Sequence, residues 1–367
     1  VRNPEERRVK AAVCRAFGEP LVIEELTLEG PQAGELLVDV KACAICHSDI
    51  TYMDGGWGGD LPALYGHEAA GVVSAVGPET PGVQVGDHVV VTLIRSCGQC
   101  FYCSRGDRVM CETSLPLSQR QPITDASGAP VAQMMNVGSF AEQVLVHHSQ
   151  IAVMDPDVDF AVASLLGCGV ITGVGAAINT TTISPGESAV VIGTGGVGLN
   201  CIQGAALSGA NPLIAVDVND AKLEAARAFG ATHVVNSATQ DVAAEVRALT
   251  MGRMAEHVLV SVGVGPAIEQ GIGLMGKGGE TIIVGMPPSG VTTTFDPSWI
   301  AADSQRIVGS KMGSAQVPVD IPQLVGLYRG GRLKLDELVT NRYPLEEINE
   351  AVAAVKRGEA LRNVVVF

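Results

Sequence analysis

Positive charge is scarce in this chain. Its 24 lysines and arginines stand against 39 aspartates and glutamates, a formal net charge of −15. That balance argues against a nucleic-acid backbone or an anionic membrane as partner, since both attract basic surfaces. Long apolar runs are missing too. No stretch reaches the length of a membrane span, and the opening "VRNPEERRVK" lacks the apolar stretch of a signal peptide. A cytoplasmic protein is therefore expected. What the chain does have is 47% hydrophobic residues with 44 glycines and 19 prolines, a globular composition. Its 367 residues exceed one ordinary core and suggest two domains.

Cysteine is sparse, nine residues in all, and unevenly spread. Four fall in "CGQCFYCSRGDRVMC" as Cys97, Cys100, Cys103 and Cys111. Cytoplasmic thiols stay reduced, so close cysteines there read as metal ligands or catalytic groups before disulfides. A loop folded around one ion could offer four thiolates tetrahedrally, each roughly 2.3 Å from zinc, and such a closed shell would be structural. An iron–sulfur cluster, whose motifs usually space the last cysteine differently, and unbound surface thiols are the alternatives. A second set is more scattered: Cys46 in "ACAICHSDI", His67 and Glu68 in "LYGHEAAG", and Cys168 in "LLGCGVITG". Each alone reads more often as core than as ligand. Cys46, His67 and Cys168 together would give zinc three ligands and an open fourth place, as at a catalytic site, but spacing does not join them. Cys14, Cys43 and Cys201 read as buried small hydrophobes.

In the middle of the chain, "ESAVVIGTGGVGLNCIQGAALSGA" reads as a strand from Ala189 to Ile192, a glycine turn and a helix. Gly193, Gly195 and Gly198 satisfy G-x-G-x-x-G, with Gly196 inside the same turn. They serve a tight turn, close approach of a pyrophosphate, and close packing of helix on strand. A second strand, "PLIAVD", ends at Asp217, nineteen residues after Gly198. An acid there can bond both ribose hydroxyls and repel a 2′-phosphate, which favours NAD over NADP. The alternative makes Asp217 the N-cap of the helix in "NDAKLEAARAFG".

Strand-like "HVVN", "EHVLVSVG" and "ETIIVGM" alternate with helical "DVAAEVRALTM" and "PAIEQGIGLM", the pattern of a doubly wound parallel sheet. The N-terminal part differs. "GELLVDVKACAI", "AAGVVSAVG" and "GDHVVVTL", punctuated by Gly and Pro, read as a compact antiparallel barrel. A boundary is expected near "GCGVITGVG", the tail "LVTNRYPLEEINEAVAAVKRGEALRNVVVF" returns to the first domain, and a ligand crevice is expected between the two. The stretch 115–137 has turn residues and little periodicity and reads as a loop near the cleft.

These residues resemble the zinc-containing medium-chain alcohol dehydrogenases. The likeness runs from about Val9 to the C-terminus and is carried by "GHEAAG", the four-cysteine lobe, "GTGGVG" and "RGEALRNVVVF". It looks closest to bacterial forms, some of which hold NAD so tightly that it is recycled in place. The resemblance implies an α/β fold: a GroES-like antiparallel β-barrel over 1–169 and 312–367, and a Rossmann domain over 170–311. It implies two zinc ions, NAD, and reversible oxidation of an alkyl or aryl alcohol to an aldehyde or ketone. Cys46, His67 and Cys168 match the catalytic zinc ligands, Glu68 a transient ligand, Asp49 the carboxylate orienting the histidine, and Ser48 the hydroxyl that takes the alcohol proton. His47 and Arg362 match basic groups near the pyrophosphate. Thr172, Val197 and Val284 match contacts at the nicotinamide end, Lys222 one at the adenosine ribose, and Trp57 and Leu93 the substrate cleft; Trp57 reads alternatively as core.

Two departures are informative. Many relatives end a proton relay in a histidine where this chain has Thr51, whose hydroxyl passes a proton without storing one. Trp57 and Leu115 replace the charged anchors of the glutathione-dependent branch, which disfavours a glutathione adduct. A zinc polyol dehydrogenase is an alternative, although such enzymes usually carry glutamate where Cys168 stands. A non-catalytic relative would need neither cysteine set. Homodimers or homotetramers are implied, with "ETIIVGM" as a late strand of the domain that joins its partner edge to edge.

Overall fold

The computed structural model describes residues 6–367; the first half of "VRNPEERRVK" lies outside the described residues. Two compact units result. One runs to Cys168 and resumes over Gln316–Gly331 and Leu335–Phe367; the other comprises Gly169–Ala315 with Arg332–Lys334.

The first unit is built on two sheets, mostly antiparallel. The larger orders strands Ile151–Val153, His88–Val91, Glu68–Val76, Glu35–Ala44, Arg362–Val366 and Val339–Pro344, with Gln143–His147 also paired to Glu35–Ala44. The smaller orders Ile123–Thr124, Val22–Leu28, Arg7–Cys14, Ala63–Leu64 and Ala132–Gln133. Leu36, Leu37, Val38, Tyr65, Phe140 and Leu145 fill the core, together with Cys14 and Cys43. Cys201, in the other unit, is equally buried.

The stretch 115–137 is more structured than its composition suggests. Its two short strands join the smaller sheet, and Asp125 closes the turn between them by accepting from Ser127 and Ala129 backbone N–H groups. Arg120 anchors the segment through ion pairs to Glu29 and Glu35. These contacts are tertiary, so no local periodicity announces them.

In the second unit six parallel strands lie in the order His233–Asn236, Leu213–Asp217, Ala189–Ile192, Ala255–Val260, Met275–Ile283, Arg306–Gly309. This 3-2-1-4-5-6 order is that of a dinucleotide-binding sheet. The central strand Ala189–Ile192 is buried throughout, as a parallel strand covered on both faces requires. The late strand expected at "ETIIVGM" is Met275–Ile283, fifth in the order. The four-residue strand Arg306–Gly309, too short to stand out in the sequence, lies outside it.

Candidate metal and dinucleotide sites

Cys46 is the N-cap of helix His47–Met53, His67 precedes strand Glu68–Val76, Glu68 opens that strand, and Cys168 ends the first run of the first unit. The fold brings these four buried side chains together, with their ligand atoms within 4.8 Å of one another. Asp49, in the first helical turn and fully buried, accounts for their orientation. Its Oδ1 is 3.0 Å from His67 Nδ1 and accepts the Gly66 N–H at 3.0 Å, while Oδ2 accepts the Cys46 N–H at 3.1 Å. With Nδ1–H given to Asp49, Nε2 carries the free lone pair.

That nitrogen and Glu68 Oε1 are buried without hydrogen-bond partners. Leaving such atoms unmatched is costly, and two thiols, an imidazole and a carboxylate are the donor set of a zinc site. The residues fit a zinc ion.

The two thiols are pushed in opposite directions. A hydrogen bond with Cys168 holds Cys46 well below its ordinary range, against burial and with help from His67. Cys168 moves well above its own range for the same reason. Burial raises Glu68 to about 7, with Arg362 opposing. The resemblance puts Arg362 near a pyrophosphate; here its buried guanidinium donates to Glu68.

Around the four-cysteine loop, the sulfurs of Cys97, Cys100, Cys103 and Cys111 also lie within 4.8 Å of one another. No disulfide joins any of the nine cysteines. The loop's backbone faces the sulfurs: Gln99 and Cys100 N–H groups donate to Cys97, Cys103 N–H to Cys100, and Cys97 N–H to Cys111. Thr113 Oγ1 adds a donor 3.1 Å from Cys97 Sγ and, with those amides, lowers Cys97 to about 6. Donors aimed at sulfur stabilise thiolate, the form that ligates metal.

In the second unit Gly193 adopts φ +86, and a Cβ on Gly198 would lie 1.9 Å from the Gly193 carbonyl oxygen. Both positions therefore need glycine. A Cβ on Gly195, the N-cap of helix Gly196–Ser208, would enter open space. That space is where a pyrophosphate would rest on the helix N-terminus, so the loop fits a dinucleotide.

Asp217 ends its strand with Oδ2 accepting from Thr194 N–H at 2.8 Å and Thr194 Oγ1 at 2.9 Å. The helix cap is Asn219, whose side chain accepts from the Ala221 and Lys222 N–H groups, so Asp217 is not the N-cap. Asn219 before "DAKLEAA" was the legible signal; Thr194 was visible only as a residue inside the glycine motif.

The remaining candidates fall on both units. Ser48 and Thr51 are half-buried on helix His47–Met53, where their spacing puts them on one face. The Thr51 hydroxyl donates to His47 O at 2.9 Å, and His47 itself is exposed. Trp57 is half-buried and meets Tyr52 edge-on at 4.9 Å. Leu93 is half-buried, its carbonyl accepting from Asn136 Nδ2 at 3.4 Å. In the second unit Val197 lies in the first turn of the helix after the glycine loop, Val284 follows strand Met275–Ile283, and Thr172 Oγ1 is 3.6 Å from Met312 Sδ.

Residues 32–156 match the alcohol dehydrogenase GroES-like domain and residues 196–328 the zinc-binding dehydrogenase domain. An NDMA-dependent alcohol dehydrogenase of Amycolatopsis methanolica is 37% identical over 368 residues, covering 98% of this chain and 99% of the relative. The chain belongs to the zinc-containing medium-chain alcohol dehydrogenases. The crystal structure of benzyl alcohol dehydrogenase from Acinetobacter calcoaceticus is similar, with TM-score 0.92, 34% identity and coverage of 98% of this chain and 99% of that one. An alcohol dehydrogenase zinc-binding domain protein from Burkholderia ambifaria gives 0.94 and 35%, covering 99% of this chain and 100% of that one. This zinc alcohol dehydrogenase is thus an oxidoreductase whose first unit has the GroES-like fold and whose second is Rossmann-like.

Proposed function

We propose that this dehydrogenase interconverts alkyl or aryl alcohols and their aldehydes or ketones with NAD. One zinc ion would be held by Cys46, His67 and Cys168 and a second by Cys97, Cys100, Cys103 and Cys111. The observation that carries this reading is the partnerless His67 Nε2, fixed by Asp49 among two buried thiols. When bound, zinc supplies Lewis acidity that favours the ionised alcohol, and NAD supplies the hydride acceptor. Asp49 fixes the His67 tautomer, and Ser48 Oγ accepts the alcohol proton while passing its own hydroxyl hydrogen onward, so that the serine stays neutral. Glu68, balanced against Arg362, is the carboxylate able to join the first set of ligands.

Asp217 selects against a 2′-phosphate by charge. Trp57 and Leu93 give the substrate apolar surface, which supports alkyl and aryl alcohols over polyols. Among the described residues no single helix is long and apolar enough to cross a membrane, and nine cysteines outside any disulfide suit the cytoplasm. A second copy is the proposed partner. Strand Arg306–Gly309 ends the sheet, and exposed Val291, Phe295 and Trp299 lie in the segment leading into it; pairing there would cover an open edge.

The test combines metal analysis, mass in solution and an alcohol panel followed at the reduced nicotinamide absorbance. Two zinc ions per chain, a dimer or tetramer, and turnover of apolar alcohols with NAD are expected. Polyol preference, or turnover unaffected by complete metal removal, would overturn the reading.

A further inference from the structure

Three consecutive residues, Met312, Gly313 and Ser314, adopt φ of 51, 63 and 51. For methionine and serine this left-handed backbone is sterically unfavourable, so the surroundings must hold it. They do so from one element, helix Gly169–Gly175 and the π-helical turn Ala176–Thr180 that continues it. Gly313 presses so closely on the helix that a Cβ there would lie 2.4 Å from Ile171 O and 2.8 Å from Gly175 Cα. From the π-turn, Asn179 Nδ2 donates to Gly313 O at 3.3 Å, and Thr180 Oγ1 is 2.8 Å from both Ser310 Oγ and Ser314 Oγ. A π-turn takes an extra residue per turn, is rare, and is frequent at functional sites. Here it directs Asn179 and Thr180 onto the strained segment.

The position of that segment gives the strain a use. Met312–Ser314 follows strand Arg306–Gly309 at its carboxyl end, as the glycine loop follows Ala189–Ile192 at its own. In a parallel sheet both ends lie on the same edge, where ligands of open α/β sheets bind. Thr172, which the family resemblance puts at the nicotinamide end, touches Met312. Asp217, at the adenosine ribose, is on a different strand.

We infer that Asn179 and Thr180 are positioning residues which, through the left-handed turn Met312–Ser314, shape the pocket for the nicotinamide end of the cofactor. The inference rests on the NAD reading above. Both side chains are spent on Gly313, Ser310 and Ser314 and act by fixing the turn beside Thr172.

The test uses the full chain and two ligands, NADH and ADP-ribose, which lacks the nicotinamide. Thr180→Val removes both hydroxyl contacts at nearly constant shape. NADH affinity by fluorescence titration should weaken roughly five- to tenfold, as loss of two modest hydrogen bonds implies. ADP-ribose affinity, measured by calorimetry, should stay unchanged. Thr180→Ser should restore NADH binding. Should Thr180→Val not fold, the exposed Asn179→Ala takes its place, with the same split expected. Equal weakening of both ligands, or no weakening of either, overturns the positioning role. A wild-type chain that binds neither ligand overturns the NAD reading itself.

Discussion

Asp49 stands 3.0 Å behind His67 Nδ1, and its other oxygen takes the Cys46 N–H at 3.1 Å, so one buried carboxylate sets two proposed ligands at once. Asp49→Asn keeps the shape and removes the charge. The single amide oxygen cannot accept on both the His67–Gly66 side and the Cys46 side, and without the charge it no longer raises the basicity of Nε2. Disturbing such a partner typically costs 10–100-fold in metal affinity. Zinc competition against a chromophoric chelator should show a loss of that order. Unchanged affinity would mean that His67 is not held as a ligand.

The two cysteine sets should fail differently. Cys103 is buried in its loop, and an incomplete cage loses binding free energy that is also folding free energy. Cys103→Ser should therefore lower the thermal midpoint and reduce zinc from two ions to one per chain. Cys46→Ser should abolish turnover with a smaller effect on the midpoint. Full activity at one zinc per chain would refute the division.

The glycine loop was legible because its signal is local: strand, glycines, helix and acid follow one another within a short window. The centre around His67 was not. Cys46, His67 and Cys168 are far apart in the chain, and only the pairing of Glu35–Ala44 with Glu68–Val76, and the packing behind it, brings them together. A family likeness suggested that set; spacing could not. The Arg362–Glu68 pair joins the first and last runs of chain in the first unit and left no local trace. Strand Arg306–Gly309 was missed for a related reason. Four residues are too few for periodicity, and only the neighbouring strand completes them.

Asp217 does two jobs, which sharpens a cofactor prediction. On the proposed reading its charge would oppose a 2′-phosphate, while its Oδ2 ties down Thr194 inside the glycine loop. Asp217→Gly should narrow the preference for NAD over NADP, because the repulsive element is gone. It should also weaken both cofactors together, because the loop loses two hydrogen bonds. Comparing kcat/KM for NAD and NADP in wild type and variant separates the two effects. Equal use of both cofactors by the wild type would remove Asp217 from its role.

His147 offers a pH dependence unconnected with metal. Burial, then the charges of His148 and Arg95, lower it to about 4, against about 6.5 in an unfolded chain. Between those values the unfolded state takes up a proton that the folded state refuses. Stability therefore falls as pH drops from about 6.5 to about 4 and levels off below that. Asn can replace the ring nitrogen that accepts the Ser149 N–H, so His147→Asn should flatten this part of the stability–pH curve. The effect is discounted because the ring is only half-buried. Urea midpoints measured across that range would check it; identical slopes would discard His147 as the cause.

If the proton leaves the substrate by way of Ser48, helix His47–Met53 limits where it can go next. Ser48 and Thr51 are a turn apart on one face, but the Thr51 hydroxyl gives its hydrogen to His47 O. Thr51 can accept a hydrogen bond; it cannot store a proton. If Ser48 Oγ is the outlet, Ser48→Ala should depress alcohol oxidation by 10²–10⁴-fold, the usual contribution of a positioned proton acceptor, with zinc content and NAD affinity retained. Thr51→His would add a group that titrates near pH 6.5 in the absence of perturbation. Where proton removal limits the rate, that variant should oxidise alcohol faster near neutrality and acquire a new pH dependence there. Cofactor release could mask the gain in steady state, so the measurement is single turnover with protiated and deuterated alcohol. An isotope effect confined to hydride transfer, with the rate of Ser48→Ala intact at every pH, would show that the proton leaves by another path.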